Sequence, residues 1–536
     1  MGDHFRILDL GAHDGFVTQF CAKQAFESSG IKLYLDGLEA NSAGVDTFNR
    51  RAEELGIPGH CKRGLVEDAS SLWKPHSYDA VVAYELIEHV TDVDEFLTGI
   101  EQMVKVPTGR VYISTPNGTY GEGNNPHHLR TWNMTALFDI LRRRGLICDA
   151  LPGPDGVSVV SYTPRTWVPE RKSVVIFTGS GWEKWAPSDI ETKGLGGSET
   201  AAVRLAEALD AMGCLVTVYG EVTPGAAGQV LYKHHTAWDP TEECDLFIGS
   251  RIPEAFGRPI GARSKVLWMH DVDCGPRLTE ELAEQIDRVM VLSQWHEGHV
   301  LDTYPFLAGF TYITRNGIEP SYFEIEDKPV RAPHRAVYTS SPDRGLDFLL
   351  RIWPRVRKHV PDAELWYAYA NVYNAVAQKM PQIAAFRDHV RELADQPGVT
   401  NMGSLTQPSV ARSMLSAGVW LAPSWSTPTK SKFHETFCIG AVEAAAAGCH
   451  RVMSAWGALE ERDEQDASEW VADKDGQLDE DEWVCAIVRA MTSADAALEG
   501  DPKGLYAQCP EALAMDWQEV AADFLASCAP ALSPSR

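Results

Sequence analysis

The 536-residue sequence has no CxxC pair among its eleven cysteines and lacks the Cys/His spacing of a zinc site. Scattered cysteines in a large chain are typical of reduced thiols and argue against a disulfide framework. No apolar run approaches the ~18 residues that cross a membrane, and the first residues do not have the layout of a signal peptide. We therefore expect a cytoplasmic protein with no integral membrane segment.

Positive charge is also scarce. The chain has 48 lysines and arginines against 75 acidic residues, which gives a formal net charge of −27 at pH 7. Phosphate backbones repel so acidic a protein, and we expect no nucleic-acid partner. Nothing in the sequence indicates an oligomeric state.

The sequence does have three blocks in which short apolar strands alternate with helical segments. This alternation predicts parallel sheets covered by helices, so the predicted fold class is α/β with three Rossmann-like domains. Polar, proline-bearing segments separate the blocks. The predicted divisions are a first domain over 1–164, a linker over 165–172, a second domain over 173–325, a third domain over 326–505 and a C-terminal helical segment over 506–536.

The first block opens with a strand, a glycine-bearing turn and a helix, in the letters ILDLGAHDG. Gly11 and Gly15 stand where such a turn lets the backbone approach a ligand closely. Glu39 ends the next predicted strand, where a carboxylate can accept hydrogen bonds from the hydroxyls of a ribose. The turn alone is equally compatible with simple packing.

Together with YDAVVAYELIEHV and RVYISTPNG, these motifs resemble class I SAM-dependent methyltransferases, which have a seven-stranded sheet. The resemblance implies that S-adenosyl-L-methionine is the methyl donor. His13 stands where the family has a glycine. The residues implied to bind the cofactor are Asp9, Gly11, His13, Gly15, Glu39, Glu67, Asp68 and Glu85.

Methyl transfer needs alignment of the reactants and sometimes a general base. Three histidines of the first block are candidates for that base, namely His89, His127 and His128. The family has no universal catalytic base, so the choice among them stays open. A lone histidine in such a position more often has a structural role.

The second block contains KGLGGSET, in which Gly196 and Gly197 precede a long helix. Exposed amides at a helix N-terminus bind anions, and here they would face a diphosphate. His270 follows a hydrophobic strand, at the end that lines the crevice of an open α/β sheet. Arg344 lies in the turn SSPDRG of the third block, where its guanidinium can neutralise diphosphate oxygens.

The letters HETFCIGAVEAAAAG resemble the E-x7-E signature of the family-4 retaining glycosyltransferases, which have the GT-B fold. The resemblance extends over residues 172–530. It implies an acceptor domain, a donor domain and a last helix that crosses back to the acceptor domain. It also implies a nucleotide-sugar donor, linked to UDP or GDP, and no required metal.

By this resemblance the catalytic residues are His270, Glu435 and Arg344. The donor-binding residues are Gly196, Gly197, Arg344, Thr436, Phe437 and Glu443. A second basic residue is usual about five positions before Arg344, but Thr339 stands there. We expect Lys430 or Lys432 to supply that charge in the donor site.

The two resemblances predict a bifunctional enzyme that transfers a sugar and a methyl group to a small-molecule or glycan acceptor. One alternative is a glycosyltransferase that carries a non-catalytic, methyltransferase-like binding module, which the substitution at His13 favours. A more remote alternative is the glycosylation and methylation of nucleic-acid bases, against which the net charge argues. The motifs leave the sugar, the nucleotide base, the acceptor and the methylated atom open.

Overall fold

The computed structural model describes residues 4–118, 128–152, 157–164, 171–181, 183–368, 381–427, 429–462, 468–500 and 508–528. The chain divides into two compact units, Met1–Arg171 and Lys172–Arg536. Both are α/β, which confirms the predicted fold class. Within the described ranges, no helix is both long enough and apolar enough to cross a bilayer.

One mixed sheet forms the centre of the first unit. Its strands are β1 (His4–Leu10), β2 (Lys32–Glu39), β3 (Cys61–Arg63), β4 (Ala80–Tyr84), β5 (Arg110–Pro116), β6 (Gly145–Pro152) and β7 (Val157–Pro164). Its helices are α1 (Phe16–Ser29), α2 (Ser42–Leu55), α3 (Ala69–Leu72), α4 (Val93–Met103) and α5 (Met134–Arg144). The strand order is β3-β2-β1-β4-β5-β7-β6, and the expected antiparallel hairpin is formed by β6 and β7.

The central strand β4 is a continuous run of apolar and aromatic residues, AVVAY, because helices cover both faces of the sheet. Leu10 pairs with Leu38 on one side and with Ala83 on the other. The carboxyl ends of β1, β2 and β4 therefore lie at one edge of the sheet. The turns that follow these strands meet at this edge, where open α/β sheets bind their ligands.

The second unit contains two larger sheets. The strands of the first are β8 (Ser173–Gly179), β9 (Leu215–Gly220), β10 (Gly225–Ala227), β11 (Val230–His234), β12 (Cys244–Ser250), β13 (Ala262–Trp268), β14 (Arg288–Val291) and β15 (Thr311–Ile313). Their order is β10-β11-β9-β8-β12-β13-β14-β15, and only the short β10 pairs antiparallel. The helices of this part are α6 (Asp189–Thr192), α7 (Gly197–Ala211), α8 (Glu280–Ala283) and α9 (Gln294–Thr303).

The last sheet is wholly parallel. In chain order the remaining strands are β16 (Ala332–Tyr338), β17 (Glu364–Tyr367), β18 (Val399–Asn401), β19 (Ala417–Ala422), β20 (Trp425–Ser426), β21 (Ser431–Lys432), β22 (His450–Ser454), β23 (Ser468–Val471), β24 (Asp473–Lys474) and β25 (Gln477–Leu478). The sheet order is β18-β17-β16-β19-β22-β23, while β20/β21 and β24/β25 form separate ribbons. The helices are α10 (Leu346–His359), α11 (Pro381–Ala394), α12 (Gln407–Leu415), α13 (Ile439–Ala447), α14 (Glu480–Gly500), α15 (Pro510–Leu513) and α16 (Trp517–Ser527).

The C-terminal helix α16 returns to the first sheet of the second unit and packs on α7. The ring of Phe524 meets the ring of Trp268 edge to face, with centroids 5.2 Å apart. The amide of Ile318 donates a hydrogen bond of 2.7 Å to the carbonyl of Met515, which fixes the chain just before α16. Two Rossmann-like sheets with a returning C-terminal helix constitute the predicted GT-B arrangement.

Candidate active sites

A cavity of about 500 Å³ lies where the two sheets of the second unit face each other, and we call it the cleft. Its walls come from both halves of the unit. The expected site residues that line it are Gly196, Gly197, His270, Arg344, Glu435, Thr436 and Phe437.

Two helices begin at the cleft. The first turn of α7 starts at Gly197, and Gly196 precedes it without a side-chain cap. The helix α13 starts at Ile439 behind Cys438, which also provides no side-chain cap and has a left-handed φ of 66°. Uncapped first turns leave amide groups without partners and carry the positive end of the helix dipole. Both features favour an anion in the cleft.

Arg344 reaches the cleft from a tight turn. Gly345 follows it with a φ of 104°, and a Cβ there would come within 2.7 Å of Pro423, so the turn requires glycine. The guanidinium lies 3.2 Å from Glu435 Oε1 and 4.0 Å from the ring centre of Phe433. Burial opposes the charge, yet Glu435 and Asp343 raise the pKa of Arg344 above its ordinary value. The cation is therefore permanent.

His270 lines the cleft as a neutral imidazole. Burial lowers its pKa to about 3, and the positive charge of Arg251 acts in the same direction. Its ring packs 4.2 Å from the ring of Trp268, and its Nε2 atom has no hydrogen-bond partner among the described residues. Its carbonyl accepts a 3.0 Å hydrogen bond from the hydroxyl of Thr436, which joins the two halves of the cleft.

Three of the expected donor-site residues do not line the cleft. Glu443 lies within α13 and is only 9% exposed, and burial raises its pKa to about 7. The ammonium of Lys432 lies 2.5 Å from Asp473 and 5.0 Å from the ring centre of Trp456. Lys430 is exposed in the neighbouring turn. The part that these three residues play in donor binding stays a prediction.

Arg251 is a cleft residue that the sequence reasoning missed. It has a left-handed φ of 67° just after β12. Its Nη1 donates a 3.0 Å hydrogen bond to Ser198 in the first turn of α7. Its Nε and Nη2 form a bidentate pair with Asp271, at 2.8 and 3.0 Å. The signal available in the sequence was its place at the carboxyl end of a strand, the same signal that identified His270.

A second cavity of about 470 Å³ adjoins the cleft and shares Leu195, Gly196, Arg251 and Asp271 with it. Its remaining walls are loops that connect the strands of the first sheet of the second unit. Charged side chains of both signs line it, together with the buried Trp185. The side chains that carry these charges are Glu183, Lys184, Lys193, Glu199, Glu221, Arg251, Glu254, Asp271 and Arg277.

In the first unit, the turn after β1 has the backbone that the glycine motif predicts. Gly11 and Gly15 have φ values of 67° and 71°, and a Cβ at Gly15 would overlap the ring of Phe48. His13 has a φ of 47°, a left-handed conformation that glycine adopts more readily. Its side chain is 85% exposed, so it leaves the turn without distorting it.

Glu39 is held beside this turn. Its Oε2 accepts a 2.9 Å hydrogen bond from the amide of His13, and its Oε1 accepts one of 2.8 Å from the amide of Asn41. Asp9 lies buried on β1 at the same edge. Burial raises the pKa of Asp9 to about 7, a hydrogen bond from Thr18 opposes this rise, and the charge of Glu39 adds to it.

The other acidic residues expected at the cofactor site are exposed. Glu67 and Asp68 lie in a short 3-10 turn after β3, where Asp68 accepts a 3.1 Å hydrogen bond from the amide of Leu65. Glu85 follows β4 with a φ of 48°, and its amide donates to the carbonyl of Ser114 at 3.0 Å. Glu85 lies at the same sheet edge as Glu39.

Two of the candidate bases, His89 and His128, lie together with ring centroids 4.9 Å apart. Glu88, which the sequence reasoning did not single out, is buried beside them. Burial raises the pKa of its carboxyl. The third candidate, His127, falls outside the described residues.

This chain is similar to known methyltransferases over part of its length. Residues 3–147 match a family model described as a methyltransferase domain. The chain is also similar to a ubiquinone biosynthesis O-methyltransferase of Rickettsia conorii, with 32% identity over 113 residues. That match covers 21% of this chain and 35% of the relative, so the chain spans about a third of the relative's length.

Two solved structures are similar to a larger share of the chain. Sucrose-phosphate synthase from Thermosynechococcus elongatus matches 68% of this chain and 100% of its own, with 16% identity and a TM-score of 0.49. AviGT4, a glycosyltransferase involved in avilamycin A biosynthesis, matches 68% of this chain and 99% of its own, with 14% identity and a TM-score of 0.44.

Proposed function

We propose that this chain is a bifunctional transferase. The second unit would transfer a sugar from a nucleotide-sugar donor to an acceptor hydroxyl, with retention of configuration. The first unit would transfer a methyl group from S-adenosylmethionine. One observation supports the sugar transfer above all. Arg344 and two uncapped helix N-termini converge on one cleft, beside Glu435 and the neutral His270.

In the sugar transfer, negative charge develops on the leaving diphosphate. The permanent cation of Arg344 and the free amides at the starts of α7 and α13 would stabilise that charge without a metal. Glu435 would accept hydrogen bonds from hydroxyls of the transferred sugar, and Thr436 and Phe437 would approach the sugar or phosphate through their backbone. The acceptor hydroxyl would attack from the face that the diphosphate leaves, with no side chain as nucleophile.

The neutral state of His270 matters for this mechanism. A neutral ring offers one donor and one acceptor nitrogen near the reacting sugar. Because the pKa of His270 is about 3, the ring stays neutral throughout the physiological pH range. We assign it to positioning the sugar.

A second cation for the diphosphate would come from Arg251. Thr339 provides none, and its hydroxyl already accepts a 3.1 Å hydrogen bond from Trp420. Arg251 is bound to the first turn of α7 through Ser198, which places its guanidinium beside the anion-binding amides. Lys430 and Lys432 stay alternatives, although Lys432 is engaged by Asp473.

The adjoining cavity is the proposed acceptor site. It opens into the cleft beside Arg251 and Asp271, and its mixed charges suit an acceptor rich in hydroxyl groups, either a small molecule or a glycan. Glu443 remains the proposed partner of the nucleotide ribose, since the helix that carries it begins at the cleft.

The first unit would bind S-adenosylmethionine at the turn after β1. Gly11 and Gly15 have no side chain that would keep the ligand away from the turn, and Glu39 would accept hydrogen bonds from the ribose hydroxyls. Bound there, the cofactor supplies an electrophilic methyl group on a sulfonium. Asp9, Glu67, Asp68 and Glu85 would complete the site, and His89 or His128 would take the acceptor proton.

Paired variants test the two activities separately. Arg344→Ala should weaken UDP or GDP binding about 10- to 100-fold, the loss expected for a charged hydrogen bond, and leave SAM binding unchanged. Glu39→Ala should weaken SAM binding and leave UDP or GDP binding unchanged. Isothermal titration calorimetry measures both affinities in each variant, with Arg355→Ala and Glu54→Ala as surface controls. Unchanged nucleotide affinity in Arg344→Ala would refute the donor site, and a wild-type chain that binds no SAM would leave a glycosyltransferase with a non-catalytic module.

A further inference from the structure

Glu88, His89 and His128 form a cluster in the first unit, at the edge of its sheet where the carboxyl ends of β1, β2 and β4 lie. One carboxylate oxygen and one nitrogen from each ring lie within 4.8 Å of one another. Glu88 and His89 belong to a 3-10 turn, Ile87–His89, that follows β4. The backbone of Leu129, next to His128, donates a 2.9 Å hydrogen bond to the carbonyl of Glu88, which holds the two segments together.

The carboxylate of Glu88 is in an unusual position. The residue is 1% exposed, and neither carboxylate oxygen has a hydrogen-bond partner among the described residues. A buried polar group without a partner is costly, and a buried carboxylate more so. A bound ion is one of the arrangements that explain such a group in a native protein.

A second cluster of the same composition lacks this feature. Glu221, His234 and His235 in the second unit also lie within metal-binding distance of one another. There the carboxylate meets both rings directly, at 3.3 Å each, and the other nitrogen of His234 bonds to Thr236 at 2.8 Å. Hydrogen bonds between the carboxylate and both rings account for the geometry of that cluster. At Glu88 the Thr115 hydroxyl and the residue's own amide favour the charged carboxyl, but neither of its oxygens has a partner at full hydrogen-bond geometry among the described residues.

We propose that Glu88, His89 and His128 bind a divalent transition-metal ion. Two imidazoles and one carboxylate form a ligand set that suits zinc, manganese or iron and leaves coordination positions open for a substrate. The sequence led us to expect no required metal in the chain. That expectation was derived from the glycosyltransferase resemblance, and this site lies in the other unit.

The site also lies close to the expected methyl donor. Leu86, two residues before Glu88, packs against the turn after β1, since a Cβ on Gly11 would come within 3.1 Å of its side chain. This part of the inference rests on the proposed methyltransferase function. With His89 and His128 both bound to the metal, neither ring would serve as the base that takes the acceptor proton. The metal would instead bind the acceptor hydroxyl and lower its pKa, so that the proton leaves to water. The oxygen then bonds to the methyl carbon, and the S–C bond breaks with its electron pair staying on sulfur as a neutral thioether.

The test measures metal binding rather than turnover. Untagged full-length protein is freed of metal with a chelator and titrated with Zn²⁺ and with Mn²⁺ in equilibrium dialysis, and bound metal is quantified by mass spectrometry. Glu88→Gln and His128→Ala should each weaken binding at this site about 100-fold or more, because each removes a direct ligand. His234→Ala, which alters the second cluster, should retain it. Circular dichroism and the melting temperature identify any variant that fails to fold, and the near-isosteric Glu88→Gln is the variant least exposed to that problem.

Two results would overturn the proposal. One is a wild-type chain that binds neither ion, and the other is binding that persists in Glu88→Gln and His128→Ala but disappears in His234→Ala. SAM affinity is measured on the same samples. If the metal binds at Glu88 while SAM does not bind, the metal site stands and the proposed methyl transfer fails.

Discussion

At the scale of single residues, the two most informative carboxyl groups are buried and have a pKa of about 7, Asp9 in the first unit and Glu443 in the second. Each has a folded-state pKa above that of the unfolded chain. As pH rises from about 4 to 7, the unfolded chain releases these protons first, so the free energy of unfolding falls over that window. A buried carboxyl that costs stability in this way is a candidate for contact with a bound ligand.

Replacing Glu443 by glutamine removes the charge without changing the shape of the side chain. At pH 5 the wild-type carboxyl is protonated in the folded chain, and the variant should exceed the wild type in stability only slightly. At pH 8 the wild type carries a buried charge, and Glu443→Gln should be the more stable by an amount of the order of 3 kcal/mol. Chemical denaturation of the nucleotide-free chain at both pH values measures this difference.

Glu284→Gln is the matched control, because Glu284 is exposed and its substitution should have the same small effect at both pH values. If Glu443→Gln is equally stable relative to wild type at pH 5 and pH 8, the carboxyl is charged at both and its assigned burial is wrong.

The identity of residue 13 does not specify the backbone conformation of the turn in which it lies. In the sequence it stands in place of a glycine and favours a silent methyltransferase module. In the structure its φ of 47° has the sign that glycine supplies, and its side chain points into solvent. The amide of His13 still donates to Glu39. Histidine in place of glycine therefore strains the backbone, but the turn keeps its shape. The sequence alone does not show that the shape is kept.

At the scale of secondary-structure elements, α16 supports the cleft from behind. Phe524 is fully buried against Trp268, and Trp268 in turn packs on His270. The helix therefore contributes to the position of a proposed catalytic residue that is distant in sequence.

Phe524→Ala should destabilise the second unit by about 3–5 kcal/mol, the cost of a cavity left by a buried phenylalanine. The midpoint of urea unfolding, followed by tryptophan fluorescence, reports the change. Gln518→Ala on the exposed face of the same helix should leave the midpoint nearly unchanged. A small effect of Phe524→Ala would mean that α16 does not pack on Trp268 in solution.

The elements that the sequence predicted best are those defined by local chemistry. The turn at Gly11, the loop before α7 and the helix after Glu435 each combine an apolar strand or helix with a glycine signal, and the sequence predicts all three. Arg251 and Glu88 were not predicted, since each depends on neighbours from other parts of the chain. Lys432 was assigned to the donor site by proximity in sequence, but β21 carries it toward Asp473.

At the scale of the whole molecule, the chain consists of two units that each have their own sheet core. The alternation of strands and helices predicted this α/β character, because burial on both faces of a parallel sheet imposes apolar runs. The predicted boundaries at 164, 172, 325 and 505 stay predictions. The net charge of −27 is a property of the whole chain and argues against a polyanionic substrate.

The central claim is that the two units bind two different donors, and thermal unfolding of the full chain with SAM, UDP and GDP added separately tests it most directly. A ligand that binds only the folded state, at about 100 times its dissociation constant, adds about 2.7 kcal/mol of stability. We predict that SAM and one of the two nucleotides each raise a melting temperature. A shift with a nucleotide and none with SAM would contradict the methyltransferase half, and no shift with either nucleotide would contradict the proposed sugar transfer.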